Sequence, residues 1–411
     1  MKKELSSAEL QTIQQQIINE SEPGTILRDF EILLGFVAAN ELNVSGVKKL
    51  LPLSILGELN ASLTNPVSIA IQRPGQKSYP NLNGLYLVLR ASGLTRIEPR
   101  GKHAVLTLNE QMMTRWQELN PVERYVALLE AWLINGSDEI LGERDTQGSL
   151  SNCRAIWQEL AKKPTMKFGL KRNDNNLLNY YPGLHNLALM ELFGFVRVTV
   201  SKSAPGQGWN VIKIEALPFG LALFQLLEKK FIPQLYAGLW DDAEEKTASL
   251  FSTLQPFIPS LNNELLLPPP AKREGIFTFK ISLEKDIWRR IAIPSSLTLD
   301  DLSDEILDSV DFDNDHLYEF TYRNEVGLKV EVGHPSCDTD LFTDEVFLSD
   351  LPLQVGESME YVFDFGDWWK FNVQLESFEP GKSRRKKAIL LKSHGKAPEQ
   401  YPSWDDDDFD E

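Results

Sequence analysis

Two acidic stretches carry the residues whose types and spacing could do chemistry. In "YVFDFGDWW", residues 361–369, Asp364 and Asp367 flank Phe365 and Gly366 and are followed by Trp368. In a protein kinase the letters Asp-Phe-Gly place an aspartate on magnesium. This chain has no glycine-rich phosphate loop, no His-Arg-Asp motif and no Ala-Pro-Glu downstream, so that chemistry is excluded. In "DFDNDHLYEF", residues 311–320, Asp311, Asp313 and Asp315 alternate as in the first half of a calcium loop. His316 stands where such a loop needs glycine, and Tyr322 where it needs a bidentate glutamate. An acidic turn that ends a helix and leads into a strand explains the spacing better. Joining Asp313, Asp315, Asp364 and Asp367 would make a metal-dependent hydrolase or nuclease, the weakest of three functional readings, because isolated acid pairs fall short of a hard cation's ligand count. His103, His185, His334 and His394 have no ligand spacing. Cys153 and Cys337 lie far apart with no Cys/His pattern around them, as free thiols do. No catalytic residue, metal or cofactor is assigned from these motifs.

Register shows what would position Asp364 and Trp368. A three-residue turn of Phe365, Gly366 and Asp367, with the glycine at its special position, sets Asp364 against Trp368 and Phe363 against Trp369. Tyr361 then faces Phe371, and Met359 faces Val373. The odd-numbered apolar residues share one face, with Glu360, Val362, Lys370 and Asn372 on the other; a two-residue turn would mix them. Around this hairpin, residues 275–283 and 286–294 alternate with period two, and "HLYEFTY" and "VGLKVEV" read as further strands. Between them, "TLDDLSDEILDSV" has Thr298 as N-cap, acids in its first turn and an apolar face of Leu299, Leu302, Ile306, Leu307 and Val310. The expectation is an α+β, β-grasp-like sheet covered by one helix. Its polar or partner-binding candidates are Arg289, Arg290, His316, Asp364, Asp367 and Trp368.

Upstream, an internal repeat emerges when helices are aligned by the glycine that ends them. Residues 85–108 read as an apolar helix stopped at Gly93, a strand 94–98, a turn 99–102 and a strand 104–108. Residues 187–217 repeat this with Gly194, a strand 195–200, a Pro-Gly-Gln-Gly turn and a strand 209–214. Glycine supplies the left-handed helix end, and helix followed by hairpin is the shape of a winged-helix module. Between the copies, Asn120 as N-cap, Pro121 and Glu123 open a helix with an apolar stripe of Val122, Tyr125, Val126, Leu129, Trp132 and Leu133. Further helices are predicted at residues 26–39, 53–62, 151–161 and 220–230. The nucleic-acid candidates are Arg90 on the first apolar helix, Arg96, Arg100 and Lys102 on its wing, and Lys167, Lys171 and Arg172 in "KKPTMKFGLKR". The first helix offers only Arg90 to base edges, which weakens the DNA reading.

Three consecutive prolines, residues 268–270, mark the clearest boundary. The expected organisation is a winged-helix-like domain 1–119, a second one 120–255, a Pro-rich linker 256–274, an α+β domain 275–402 and an acidic tail 403–411. The net charge of −17 is unevenly spread: +1 over residues 1–120, −2 over 121–270 and −16 over 271–411. The basic run 382–387 reads as a solvated loop between strands. No stretch approaches the roughly 18 apolar residues of a membrane span, and the chain is expected to be cytoplasmic with no membrane contact.

The residues Trp288-Arg289-Arg290, His316-Leu317 with Phe320, Leu348-Ser349-Asp350-Leu351 and the Tyr361–Trp369 block together resemble the plasmid pRiA-type ORF-three-like family, over residues 275–402. The resemblance implies an association with plasmids and mobile elements, where some members are labelled transposon resolvases, but it implies no activity. Two departures stand out: Phe371 replaces a histidine often found after the block, and the cysteine-containing tail is reduced to Ala397-Pro398-Glu399-Gln400-Tyr401. Nothing in the chain resembles a serine recombinase site. The leading reading is a non-enzymatic protein whose acidic domain binds a protein partner. DNA binding through the winged-helix-like domains is the alternative, and cofactors are expected to be none.

Overall fold

The structure, a computed structural model, describes residues 5–44, 48–101, 103–143, 148–169, 177–237, 249–266, 272–382 and 385–401. The chain is mixed α+β and forms two compact units, Met1–Leu267 and Pro268–Glu411. No described helix is long and apolar enough to cross a membrane.

In the first unit the elements run α1 (Ser7–Gln14), α2 (Ile26–Ala39), β1 (Leu42–Val44), α3 (Leu53–Ser62), α4 (Pro80–Ala91), β2 (Thr95–Arg100), β3 (His103–Leu108), α5 (Glu110–Glu118) and α6 (Pro121–Leu133). They continue through α7 (Gly148–Lys162), β4 (Thr165–Lys167), α8 (Leu184–Leu192), β5 (Val196–Ser201), β6 (Asn210–Ala216), α9 (Pro218–Leu226), α10 (Ile232–Ala237) and α11 (Leu250–Leu254). The repeat is real. Gly93 and Gly194 end α4 and α8 at φ 71° and 74°, where a side chain would be strained, and each releases the chain into an antiparallel hairpin. Both hairpins close the same way: Asn109 N donates to Leu94 O at 2.9 Å, and Leu217 N to Phe195 O at 2.9 Å. Each sheet also gains an upstream third strand that the sequence pattern did not reveal, in the orders β1-β3-β2 and β4-β6-β5. Three residues are too few to show a period.

Helix α6 joins the two copies. Asn120 and Glu123 form the expected capping box, and Glu123, 2% exposed, also accepts the backbone N–H groups of Asn262 and Asn263 at 3.1 and 2.8 Å. From its buried face, the Tyr125 hydroxyl donates to Phe193 O at 2.6 Å and Trp132 Nε1 to Asn186 Oδ1 at 2.8 Å. The two glycine-ended helices pack directly on one another. A Cβ on Gly84 of α4 would lie 2.7 Å from Leu189 Cγ and 2.9 Å from His185 O of α8, so glycine permits the approach.

The second unit is one seven-stranded sheet in the order β10-β9-β11-β12-β7-β8-β13, with every neighbouring pair antiparallel. Its strands are β7 (Gly275–Glu284), β8 (Ile287–Pro294), β9 (Tyr318–Arg323), β10 (Lys329–Gly333), β11 (Ser358–Phe363), β12 (Trp369–Pro380) and β13 (Ile389–His394). Helix α12 (Leu299–Val310) begins at a Thr298/Asp301 capping box. It buries the apolar face predicted for it, Leu299, Leu302, Ile306, Leu307 and Val310, against one side of the sheet. At about 2 kcal/mol per fully buried aliphatic side chain, that face anchors the layer.

Candidate functional site

Strands β11 and β12 pair in the expected register, Met359 with Val373, Tyr361 with Phe371 and Phe363 with Trp369. The turn between them differs in its chemistry. Gly366 lies outside the left-handed region; Asp364 at φ 56° and Trp368 at φ 58° occupy it instead. For a bulky residue such as tryptophan this backbone conformation costs about 1–2 kcal/mol. Asp364, 6% exposed, organises the turn: its carboxylate accepts Gly366 N at 2.8 Å, its carbonyl accepts Trp368 N at 2.7 Å, and its own N–H donates to Leu317 O at 3.0 Å. The consequence is a rigid tip with Phe365 and Trp368 held outward, 42% and 57% exposed, their ring centroids 6.1 Å apart.

The acidic stretch after α12 comes to this tip. Asp311 is the left-handed C-cap of α12 at φ 62°, as a helix-ending turn requires. His316 Nε2 lies 3.5 Å from Asp364 Oδ2 and 3.9 Å from Asp315 Oδ1. Asp315 is held from its other side: the Tyr401 hydroxyl donates to Oδ2 at 2.6 Å and Gln400 Nε2 to Oδ1 at 3.1 Å. Gln400, buried, also accepts Asp313 N at 2.6 Å and donates to Asp313 O. The Tyr401 hydrogen bond holds the Asp315 carboxyl below its ordinary range, and Asp315 in turn pushes the Tyr401 phenol up to about 12. Asp313, Asp315, His316 and Asp364 therefore share one end of the domain, while Asp367 is exposed. Among the described residues no group of three or more His, Cys, Asp and Glu could hold a metal ion. The arrangement offers a polar, hydrogen-bonded surface edged by aromatics.

Arg289 and Arg290 do not join it. Arg289, 5% exposed, donates to the carbonyls of Ser309, Trp288 and His394 at 2.7, 3.0 and 2.9 Å, tying the end of α12 to β8 and β13. Arg290 points to the opposite face and forms a two-pronged pair with Glu376. Gln400 and Tyr401 were missed in the sequence because the tail was read only as a shortened motif. Their hydrogen bonds to Asp313 and Asp315, more than 80 residues away in sequence, need a fold to be visible.

The basic candidates of the first unit are scattered. Arg90 is 4% exposed inside α4, all of whose residues are buried. Arg96 is half-buried on β2 opposite Thr107, and Arg100 is exposed and paired with Glu41. Lys167 is exposed on β4 opposite Lys213. Lys102, Lys171 and Arg172 lie outside the described residues.

Residues 275–401 match the model of the family described as "Plasmid pRiA4b ORF-3-like protein". An uncharacterized protein, y4hQ, of Sinorhizobium fredii (strain NBRC 101917 / NGR234) is 27% identical over 130 residues, which are 30% of this chain and 64% of that protein. A crystal structure of a protein of unknown function from Methanosarcina mazei Go1 is 28% identical, covering 31% of this chain and 72% of that one, with a TM-score of 0.28. The family match lies in the carboxy-terminal unit, which is similar to the pRiA4b ORF-3-like proteins, and the chain spans less than two thirds of the length of y4hQ.

Proposed function

We propose that this is a binding protein whose carboxy-terminal unit engages a protein partner through the tip formed by residues 364–368 and its neighbours His316 and Tyr401. The observation that carries the reading is Trp368: a tryptophan held in the left-handed region and 57% exposed has no structural gain to offset its strain, whereas aromatic anchors are what protein interfaces use. The unit is read as β-grasp-like in its layering of one helix on a sheet, and as linked to plasmids or mobile elements through its family match. A photo-crosslinking residue at Phe365 tests this in cells, with the same residue at Asn372 as control. The expected result is one adduct from position 365; its purified partner then binds the Trp368→Ala chain at least tenfold more weakly. Equal adducts from both positions, or unchanged affinity, would remove the reading.

Residues 26–108 run helix, strand, helix, helix, hairpin, and the described residues of 121–216 run helix, helix, strand, helix, hairpin; the shared strand and glycine-ended helix leading into a hairpin support a winged-helix-like reading for each copy. It does not favour DNA. The helices that would enter a groove, α4 and α8, are packed into each other, and Arg90 with them.

A further inference from the structure

We propose a second site on the other face of the carboxy-terminal sheet: a platform for single-stranded nucleic acid centred on Trp288. Lys280 on β7, Arg290 on β8 and Lys392 on β13 stand directly opposite one another in register, three like charges in a row across neighbouring strands. Like charges placed directly across a ladder weaken a sheet. A single carboxylate, Glu376, pairs with Arg290. The row depends on an irregularity. Leu390 pairs with Ile291 and Lys392 with Arg290, so Leu391 is an extra residue. In an unbroken ladder Leu391 would face Arg290, and Lys392 would turn toward the α12 side. Bulges of this kind re-aim side chains.

Trp288 lies two residues before Arg290 on the same face. In register with it are His394 on β13, whose ring stacks on the indole at 5.4 Å and 21°, and the small Ser282 on β7. The charged ends of Lys280, Arg290 and Lys392 lie 5.3, 5.2 and 5.7 Å from the indole centroid. Strands about 4.8 Å apart make the cationic row about 10 Å long, enough to meet neighbouring phosphates of one strand. Aromatic rings beside a basic row are how single strands are held without sequence preference. An acidic peptide would use the cations and leave the rings idle, and a duplex keeps its base faces stacked away from them.

On the platform face the acids Glu319, Glu331 and Glu360 belong to strands β9, β10 and β11, on the far side of β12 from the cationic row, and Glu376 alone pairs with it. Asp301, Asp304, Glu305 and Asp308 belong to α12, across the sheet from Lys280 and Lys392. A helix about 10 Å across exceeds the ~8 Å screening length at physiological salt.

The full chain, titrated into fluorescently labelled 12-mers of dT and rU and read by anisotropy, tests this. The expected result is binding at low salt with a slope of log K on log salt of about −1.4, two phosphates for a single strand. Lys280→Glu with Lys392→Glu should weaken it at least tenfold, and Trp288→Leu roughly 5- to 100-fold. Preference for dT or for rU identifies DNA or RNA as the natural strand. Absence of binding, undiminished binding by the double variant, or equally tight binding of a 12-residue oligoglutamate or of duplex DNA would overturn it. Should Trp288→Leu melt early, the charge variant, which alters only side chains at the surface, decides.

Discussion

The glycine-ended helices of the first unit and the hairpin tip of the second both reverse the chain through the left-handed backbone region, with different residues. Gly93 and Gly194 occupy it at the helix ends; Asp364 and Trp368 occupy it at the tip, where Gly366 was available and sits elsewhere. At the helix ends the interior is tight. A Cβ on Gly194 would lie 2.3 Å from Pro23 O, so nothing but glycine fits. At the tip there is room, and a bulky exposed ring is held there at a cost in stability. Where the fold needs a turn for its own packing it removes strain; where strain persists beside exposed aromatics, something other than packing retains it.

The largest test is Gly194→Ala. Left-handed strain of about 1–2 kcal/mol adds to an overlap with backbone that cannot swing aside, itself worth about 1–3 kcal/mol. A loss of about 4 kcal/mol is expected in denaturant unfolding followed through the first unit. A loss under about 1 kcal/mol would mean that the contact between the Pro23–Gly24 segment and the end of α8 is loose, and the contrast with the tip would fail.

A second test asks whether the first unit is as free of stored cost as its glycines suggest, and Glu130 on α6 indicates that it is not. Burial, with the nearby Glu264 carboxylate adding to it, pushes the Glu130 carboxyl up to about 7. The folded state then holds a proton that the unfolded chain releases near its ordinary 4.5. Its contribution to stability is therefore fully present below about pH 4.5 and is lost as pH rises through 7. Such a shift corresponds to about 3 kcal/mol, or about 2 after screening of the partly exposed group. Glu130→Gln should raise the melting temperature at pH 8 and leave it unchanged at pH 4; equal effects at both would break the assignment.

Much of this was legible from the sequence, for reasons that differ by element. The helices at Ile26–Ala39 and Leu53–Ser62, the Asn120 and Thr298 caps and the Tyr361–Phe371 register follow from local periods and side-chain chemistry, which act over a few residues. The repeat was visible but its extent was not: a Tyr-Pro pair stands at the start of each glycine-ended helix, with Pro80 the first residue of α4 and Pro182 two residues ahead of α8, and a search started at the glycines stops short of them. Arg90 shows the limit most clearly. One arginine in an apolar helix reads equally as a base contact or a buried residue until α8 is seen beside it. The left-handed Trp368 was hidden by Gly366, since a glycine in a turn is ordinarily taken for the residue that needs the freedom.

The smallest effects discriminate best at that tip. Trp368→Gly removes left-handed strain and an exposed ring, and should stabilise the second unit by about 1 kcal/mol. Gly366→Ala should cost no more than about 1 kcal/mol, because its φ lies outside the left-handed region and a Cβ, 3.1 Å from Asp364 Oδ1, asks that carboxylate to give by only a few tenths of an ångström. Thermal unfolding of both variants measures this against the parent chain. If Gly366→Ala were the costly change and Trp368→Gly neutral, the tip would be an ordinary glycine turn like those after α4 and α8. With the signs as expected, Trp368 is a residue the fold would be more stable without. That is the behaviour the proposed partner-binding role requires of it.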